Sequence, residues 1–292
     1  MTIYRRLKYC LYTALGRFRY FGFWVSFPKN SAAFRFTWEQ GVFEKENVHL
    51  LSCVCTSDCV MFDVGAHLGL MALPILRLAP AARVVSFEPS QNALPWLRKT
   101  VERSRCASRW TLVEKAVGAA PSTSAFSLSR VGEGVYDGLK NTGRVPEAFS
   151  GQVEVTTLDQ EWESLGRPRV SVIKIDVEGG ELNVLLGAQR CLAETRPVVL
   201  LEWSRLNLPA YGVSYDALLE FAAMHEYNVC AIPGMHPVTT ALELKLQMLC
   251  TESYLMVPRG WEHADLSGRA GHSVNGTPCA NGSPKEVAAE SR

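Results

Sequence analysis

Between Cys59 and Pro258, short β-branched and aliphatic runs alternate with stretches whose apolar residues recur at helical spacing. Strands are predicted near residues 60–64, 83–88, 110–116, 170–176, 197–202, 228–232 and 253–257, each bounded by turn residues. Leu94, Leu97 and Val101, flanked by Arg98, Lys99 and Arg103, form one helix face; Leu182, Leu185, Leu186 and Leu192 form a second, and Leu218, Leu219 and Ala222 a third. Pro74 sits where a helix should follow Gly69, so it should kink or delay that helix. Residues 119–158 break the rhythm. They predict a hairpin, 125–129 against 153–157, joined by a glycine-rich loop over 132–151 that is a candidate substrate lid. The alternation as a whole predicts an α/β fold, a mostly parallel sheet with helices on both faces.

The ends of the chain differ from this middle. Before the first acid, Glu39, lie Arg5, Arg6, Lys8, Arg17, Arg19, Lys29 and Arg35, interleaved with Tyr4, Tyr9, Tyr12, Phe18, Tyr20, Phe21, Phe23, Trp24 and Phe27. Arg17 and Arg19 interrupt the apolar stretch, which is too short and too charged to span a bilayer or serve as a signal peptide. Two readings stay open: a basic, aromatic segment over 1–38 lying in a membrane interface or over the active-site mouth, and a helix packed on the domain. Beyond Trp261, Gly, Ser, Asn, Pro and charged residues dominate, and that stretch is expected to be disordered. The expected organisation is therefore an N-terminal segment over 1–50, one domain over 51–262 and a tail over 263–292.

Balanced charge (net +1) gives no global bias toward nucleic acid, and none is expected as a partner. Nine cysteines, an odd number mostly inside apolar runs, suit small core residues in a reducing, cytoplasmic compartment. Cys53, Cys55 and Cys59 lie close enough in sequence to suggest a soft metal. They lack a paired Cys-x-x-Cys or a His partner, so no metal is expected.

The most specific chemistry lies at two strand ends. Met61-Phe-Asp-Val-Gly-Ala-His-Leu-Gly69 carries an apolar run to Asp63 and into a glycine-bearing turn, and Val84-Val-Ser-Phe-Glu-Pro89 ends a second run on Glu88. Strand-terminal carboxylates suit ribose hydroxyls, and glycines admit a ligand close to the backbone. A dinucleotide fingerprint needs Gly-x-Gly-x-x-Gly, whereas here Ala66, His67 and Leu68 separate Gly65 from Gly69. Asp63 before the first glycine would repel a pyrophosphate and suits the cationic S-adenosylmethionine.

A third strand, Val172-Ile-Lys-Ile-Asp-Val-Glu-Gly-Gly-Glu181, ends on Asp176, Glu178 and Glu181. Helix N-terminal charge accounts for Glu181 well and for Asp176 poorly. From Asp63 to Trp203, through these motifs, Phe87-Glu-Pro89, Thr157-Leu-Asp159 and Lys174–Glu181, the chain resembles the FkbM family of S-adenosylmethionine-dependent methyltransferases. The resemblance implies a Rossmann-like class I methyltransferase fold, a seven-stranded sheet whose last strand is antiparallel. It also implies methylation of hydroxyl oxygens on sugars, glycolipids and other natural products, so the expected acceptor is a small molecule or glycan. By position, it places Asp63, Gly65, Ala66 and Gly69 at the methionine end of the cofactor and Glu88 on the ribose. Ala116 would lie near the adenine, and Asp176 would face the methionine amino group or the transferring methyl. One departure is His67, where the family often has Asn; it could titrate near neutral pH and act as a base. Candidate bases are Glu178 and Asp176, then His67, with Glu202 beside them. A nicotinamide-dependent oxidoreductase and a non-catalytic, membrane-associated cofactor binder are the alternatives.

Overall fold

The computed structural model describes residues 3–56, 58–130, 132–144 and 148–261, so the tail expected over 263–292 lies outside the described residues. The chain begins with α1 (Ile3–Leu15), a hairpin of β1 (Arg17–Tyr20) and β2 (Phe23–Ser26), α2 (Ala32–Gln40) and α3 (Lys45–Val54). The alternating region follows: β3 (Val60–Val64), α4 (Ala72–Leu78), β4 (Arg83–Phe87), α5 (Leu94–Ser104), β5 (Trp110–Val113) and β6 (Ala116–Val117). Next come β7 (Ser122–Leu128), β8 (Phe149–Thr156), α6 (Leu158–Ser164), β9 (Val172–Ile175), α7 (Glu181–Leu186), α8 (Gln189–Thr195) and β10 (Val198–Glu202). The described chain closes with α9 (Leu208–Tyr211), α10 (Ala217–Met224), β11 (Tyr227–Ala231), β12 (His236–Val238), α11 (Ala241–Gln247) and β13 (Ser253–Pro258).

The main sheet runs β12-β11-β13-β10-β9-β3-β4-β5. Its central strands pair in parallel, and β13 runs antiparallel to both β10 and β11. This is the mostly parallel sheet that the alternation predicts, with the antiparallel last strand that the family resemblance implies. It has eight strands, not seven. The additional β12 is a three-residue edge strand containing Pro237, and proline without an N–H to donate is tolerated only at such an edge.

Side-chain alternation in β3 shows why the sheet is buried on both faces. Met61 joins one core cluster, while Val60, Phe62 and Val64 join the other. The expected strand over 110–116 is split. After Val113 the chain leaves the sheet through Glu114 and Lys115, which pair with Arg98 and with Glu154 and Glu161, and Ala116–Val117 then pairs with β8. Pro74 delays its helix as expected: α4 starts at Ala72, which puts the proline in the first turn, where a missing N–H costs nothing. A hairpin is present as β7 against β8, but both strands start earlier than expected: Ser122 faces Val155 and Leu128 faces Phe149, so residues 149–151, expected in the loop, are strand.

The N-terminal elements pack on the sheet's first face. Tyr9 stacks on Phe34 and Phe34 on Phe27, with ring centroids 5.2 and 4.2 Å apart, and Phe18 joins the same group. Tyr12, Phe18, Val25, Phe27 and Phe34 share one core with Leu68, Leu73, Val84 and Trp110. The aromatic residues of this segment are thus mostly turned inward. No helix among the described residues is long and apolar enough to cross a membrane.

Candidate active site

Strands β3, β4, β9 and β10 end at one edge of the sheet, and the connection order reverses between β3 and β9. Side chains at such a switch point converge on a crevice. A cavity of about 340 Å³ lies there, with Gly65, Glu88, Asp176, Glu178 and Glu202 in its wall.

The first turn is built by close backbone approach. Gly65 and Gly69 have φ of 79° and 81°, in the left-handed region. A Cβ on Gly65 would lie 1.8 Å from the Asp176 carbonyl oxygen, and one on Gly69 would lie 2.7 Å from the Trp110 ring. Gly65 therefore lets β3 and β9 meet at the cavity, while Gly69 lets the following segment pack against β5. Ala66 and His67 line the cavity; Gly69 does not. The His67 backbone N–H donates to Glu88 Oε2 at 2.7 Å, and the Ser90 N–H donates to Glu88 Oε1 at 2.8 Å. Burial pushes Glu88 up to about 7 despite these two bonds. Burial also lowers the His67 pKa, against Glu133 nearby, so its imidazole is neutral at pH 7. Asp63 lies away from the cavity. It is fully buried beneath the turn, 3.8 Å from Lys174 Nζ, and burial raises its pKa.

Lys174, which the sequence reading passed over, organises this floor. Its ammonium donates to the Gly65 carbonyl at 2.9 Å and lies 3.3 Å from Asp176. Burial opposes the charge, but Asp176, Asp63 and Glu44 outweigh it and hold Lys174 above the ordinary lysine range. A charged residue in the buried run Val172-Ile-Lys-Ile175 was the available signal, since lysine is buried only when paired.

Beyond β9 the chain turns sharply. Glu178 takes φ 58°, and Glu181 folds back so that Oε1 accepts from the N–H groups of Val177 and Gly179 at 3.1 and 3.0 Å. Glu181 thus closes the turn that aims its neighbours. Glu178 Oε2 accepts from Asn207 Nδ2 at 3.0 Å and pairs with Arg144 at 3.2 Å, and the same amide donates to Glu202 Oε2 at 3.1 Å. Burial, reinforced by Asp176, pushes Glu178 up to about 8, against the pull of Arg144. Burial and the charges of Asp176 and Glu178 hold Glu202 well above the carboxylate range.

Asp176, Glu178 and Glu202 bring carboxylate oxygens within 4.8 Å of one another, the one such group of potential metal ligands among the described residues. Cys53, Cys55 and Cys59 do not form one; Cys55 and Cys59 are buried thiols without a disulfide.

The remaining wall comes from Ala116, Val117 and Phe87, from the loop between β7 and β8, and from α2 and the turn after it. Tyr136, Asp137 and Arg144 of that loop face the cavity, as do Phe36, Gln40 and Glu44. Arg144 lies over the Tyr136 ring, 4.0 Å from its centroid. Of the sequence candidates, Gly65, Ala66, His67, Glu88, Ala116, Asp176 and Glu178 share one cavity, and Asp63 and Gly69 stand behind it.

Residues 63–229 match the family model of the methyltransferase FkbM domain. The chain is 30% identical over 226 residues to the AMB antimetabolite synthetase AmbE of Pseudomonas aeruginosa, covering 65% of this chain and 10% of that one. It is 27% identical to the hexuronic acid methyltransferase AglP of Haloferax volcanii, covering 54% of this chain and 61% of AglP. Identity to the 2-O-methyltransferase NoeI of Sinorhizobium fredii is also 27%, over 62% of this chain and 78% of NoeI. The chain thus spans a tenth of AmbE and less than two thirds of AglP.

Proposed function

The chain belongs to the FkbM methyltransferase family, and on that premise we propose that it transfers a methyl group from S-adenosylmethionine to a hydroxyl oxygen of a sugar, glycolipid or other natural product. The observation that carries this reading is the convergence of Glu88, the Gly65 turn and the acids after β9 and β10 on one cavity. The lining suits the cofactor. Glu88 offers a buried carboxylate to ribose hydroxyls, and Phe87, Ala116 and Val117 offer an apolar wall to adenine. Asp176, with the ionised fraction of Glu178, offers negative charge to an amino group and a sulfonium. The same charge would repel a pyrophosphate, which disfavours a nicotinamide cofactor.

When bound, S-adenosylmethionine supplies a methyl group activated on a positively charged sulfur. This chain's own residues have two tasks. The cavity wall, including Tyr136 and Arg144, holds the acceptor oxygen in line at near-attack distance. A base takes the hydroxyl proton as the oxygen becomes bonded to carbon, a contribution of about 10²–10⁴-fold. Glu178 suits that role: with a pKa of about 8 it is partly ionised near neutral pH and binds the proton it receives. Asn207 and Arg144 hold its carboxylate in place. His67, neutral and in the same wall, is the second candidate.

The described cysteines are all unpaired, which supports a reducing, cytoplasmic setting. The basic residues before Glu39 support a peripheral membrane contact through residues 1–38. Isothermal titration with S-adenosylhomocysteine, with NAD as control, tests the cofactor reading. Micromolar affinity for the first and none for the second is expected. Folded protein that binds only NAD, or neither, would sink the proposal.

A further inference from the structure

Helix α1 has two faces of opposite fate. Tyr9 and Tyr12 turn inward onto Phe34, Trp38 and Trp24, and they anchor the helix to the domain. The opposite face carries Ile3, Tyr4, Leu7, Leu11 and Leu15, which are 79, 74, 66, 55 and 45% exposed. At 100° per residue, Ile3, Leu7, Leu11 and Leu15 fall within an arc of about 120°, with Tyr4 inside it, so one apolar face runs the length of the helix. A soluble surface rarely keeps so continuous a row of large aliphatic side chains without a partner.

The charge around the stripe identifies that partner. Arg6 borders it on one side and Lys8 on the other, while Arg5, Arg17 and Arg19 lie on the same or the adjoining element. Arg17 and Arg19 are held over the Trp24 ring, 5.0 and 4.5 Å from its centroid. No acid occurs before Glu39. An aliphatic strip with cationic borders matches an anionic lipid surface, acyl chains below and headgroup phosphates beside them. Tyr4, at one end, brings an aromatic ring with a polar tip, which suits the headgroup level.

We propose that the outer face of α1 docks this protein on anionic membranes, lying in the interface plane with Ile3, Leu7, Leu11 and Leu15 inserted among the acyl chains. This deepens the reading of a peripheral contact through residues 1–38 by confining it to one face of one helix. Of the aromatic residues of α1, Tyr9 and Tyr12 fasten the helix to the domain, and Tyr4 stays on its outer face. Docking brings α2, which packs on α1 and lines the cavity, close to the lipid surface.

The test is cosedimentation of the full chain with vesicles of phosphatidylcholine alone or mixed with phosphatidylglycerol. Binding is expected to the mixed vesicles only, and to fall severalfold when salt rises from about 0.1 to 1 M and the screening length shortens from about 10 to 3 Å. Leu7→Glu/Leu11→Glu should lose at least tenfold in vesicle affinity while its S-adenosylhomocysteine affinity stays that of the wild type. Arg6→Ala/Lys8→Ala should lose severalfold. Three results would overturn the proposal: equal binding by wild type and Leu7→Glu/Leu11→Glu, equal binding to neutral and anionic vesicles, or a wild-type dimer that this variant dissociates with no vesicle binding in either. The vesicle assay does not depend on methyl transfer, so absence of cofactor binding would sink the enzymatic reading and leave this one standing.

Discussion

Glu88 shows how one residue ties the fold to the expected chemistry. The residue is 6% exposed, and its carboxyl accepts the His67 and Ser90 N–H groups and has a pKa pushed up to about 7 by burial. Hydroxyl groups of a ribose donate to the ionised form. Below pH 7 the free protein carries a proton there that must leave on binding, so affinity for S-adenosylhomocysteine should fall as pH drops, by up to tenfold per unit, and level off above 7. Titration calorimetry between pH 5.5 and 8.5 (a range centred on about 7) checks this, with Glu88→Gln as the control expected to bind weakly and without the slope. A wild-type affinity that does not change across the range would remove Glu88 from the ligand. Glu88 and Asp176 were legible in the sequence because each follows an apolar strand and so must sit at a strand end. Lys174 is marked by its place inside a fully buried strand. Asn207 and Arg144 have no such mark: they reach Glu178 from loops, where no periodicity says which way a side chain points.

At the scale of elements, most sheet strands and the loop between β7 and β8 are legible in the sequence, and the N-terminal wall of the site is not. A strand buried on both faces is a short, nearly continuous apolar run, and 60–64 and 253–257 fit that length and composition between turn residues. Residues 17–26 form a hairpin in which basic and aromatic residues alternate over only the four positions of β1, while β2, Phe-Trp-Val-Ser, carries no basic residue, too little pattern to separate from a helix. The predicted loop between β7 and β8 lies over the cavity, and two buried carboxylates tie it down. Asp137 accepts from Ser90 Oγ at 2.6 Å, from Asn92 Nδ2 at 2.9 Å and from the Ser129 N–H at 2.6 Å. Glu133 accepts from Ser31 Oγ and the Ala33 N–H, each at 2.9 Å, and so fastens the loop to the first turn of α2. Glu133→Ala leaves that buried N–H without its acceptor, which should cost about 1–3 kcal/mol. Urea unfolding should show this loss, and limited proteolysis should cut between β7 and β8 faster. Unchanged stability together with an unchanged cleavage rate would mean that the latch holds nothing.

Across the whole molecule, the N-terminal elements and the sheet share one interior. Val25, Phe27, Phe34 and Leu51 are buried in the same cluster as Met61, Leu73, Val84 and Trp110, and Phe36, Gln40 and Glu44 form part of the cavity wall. The change of composition near Glu39 and the segment boundary expected at residue 50 are therefore both crossed by continuous packing. Composition follows what a surface faces, and here the basic residues face outward while the aromatic ones between them fill the core. Removing residues 1–50 would uncover the side of the sheet formed by Met61, Val84 and Trp110 and open one wall of the cavity. An exposed apolar face of that kind drives aggregation. The shortened chain should accumulate as insoluble protein, and any soluble fraction should bind S-adenosylhomocysteine at least tenfold more weakly than the full chain. Expression, size-exclusion chromatography and titration calorimetry read both effects. A monomeric shortened chain with full-length affinity would instead make residues 1–50 an independent attachment, and the cavity would then owe nothing to Phe36, Gln40 or Glu44.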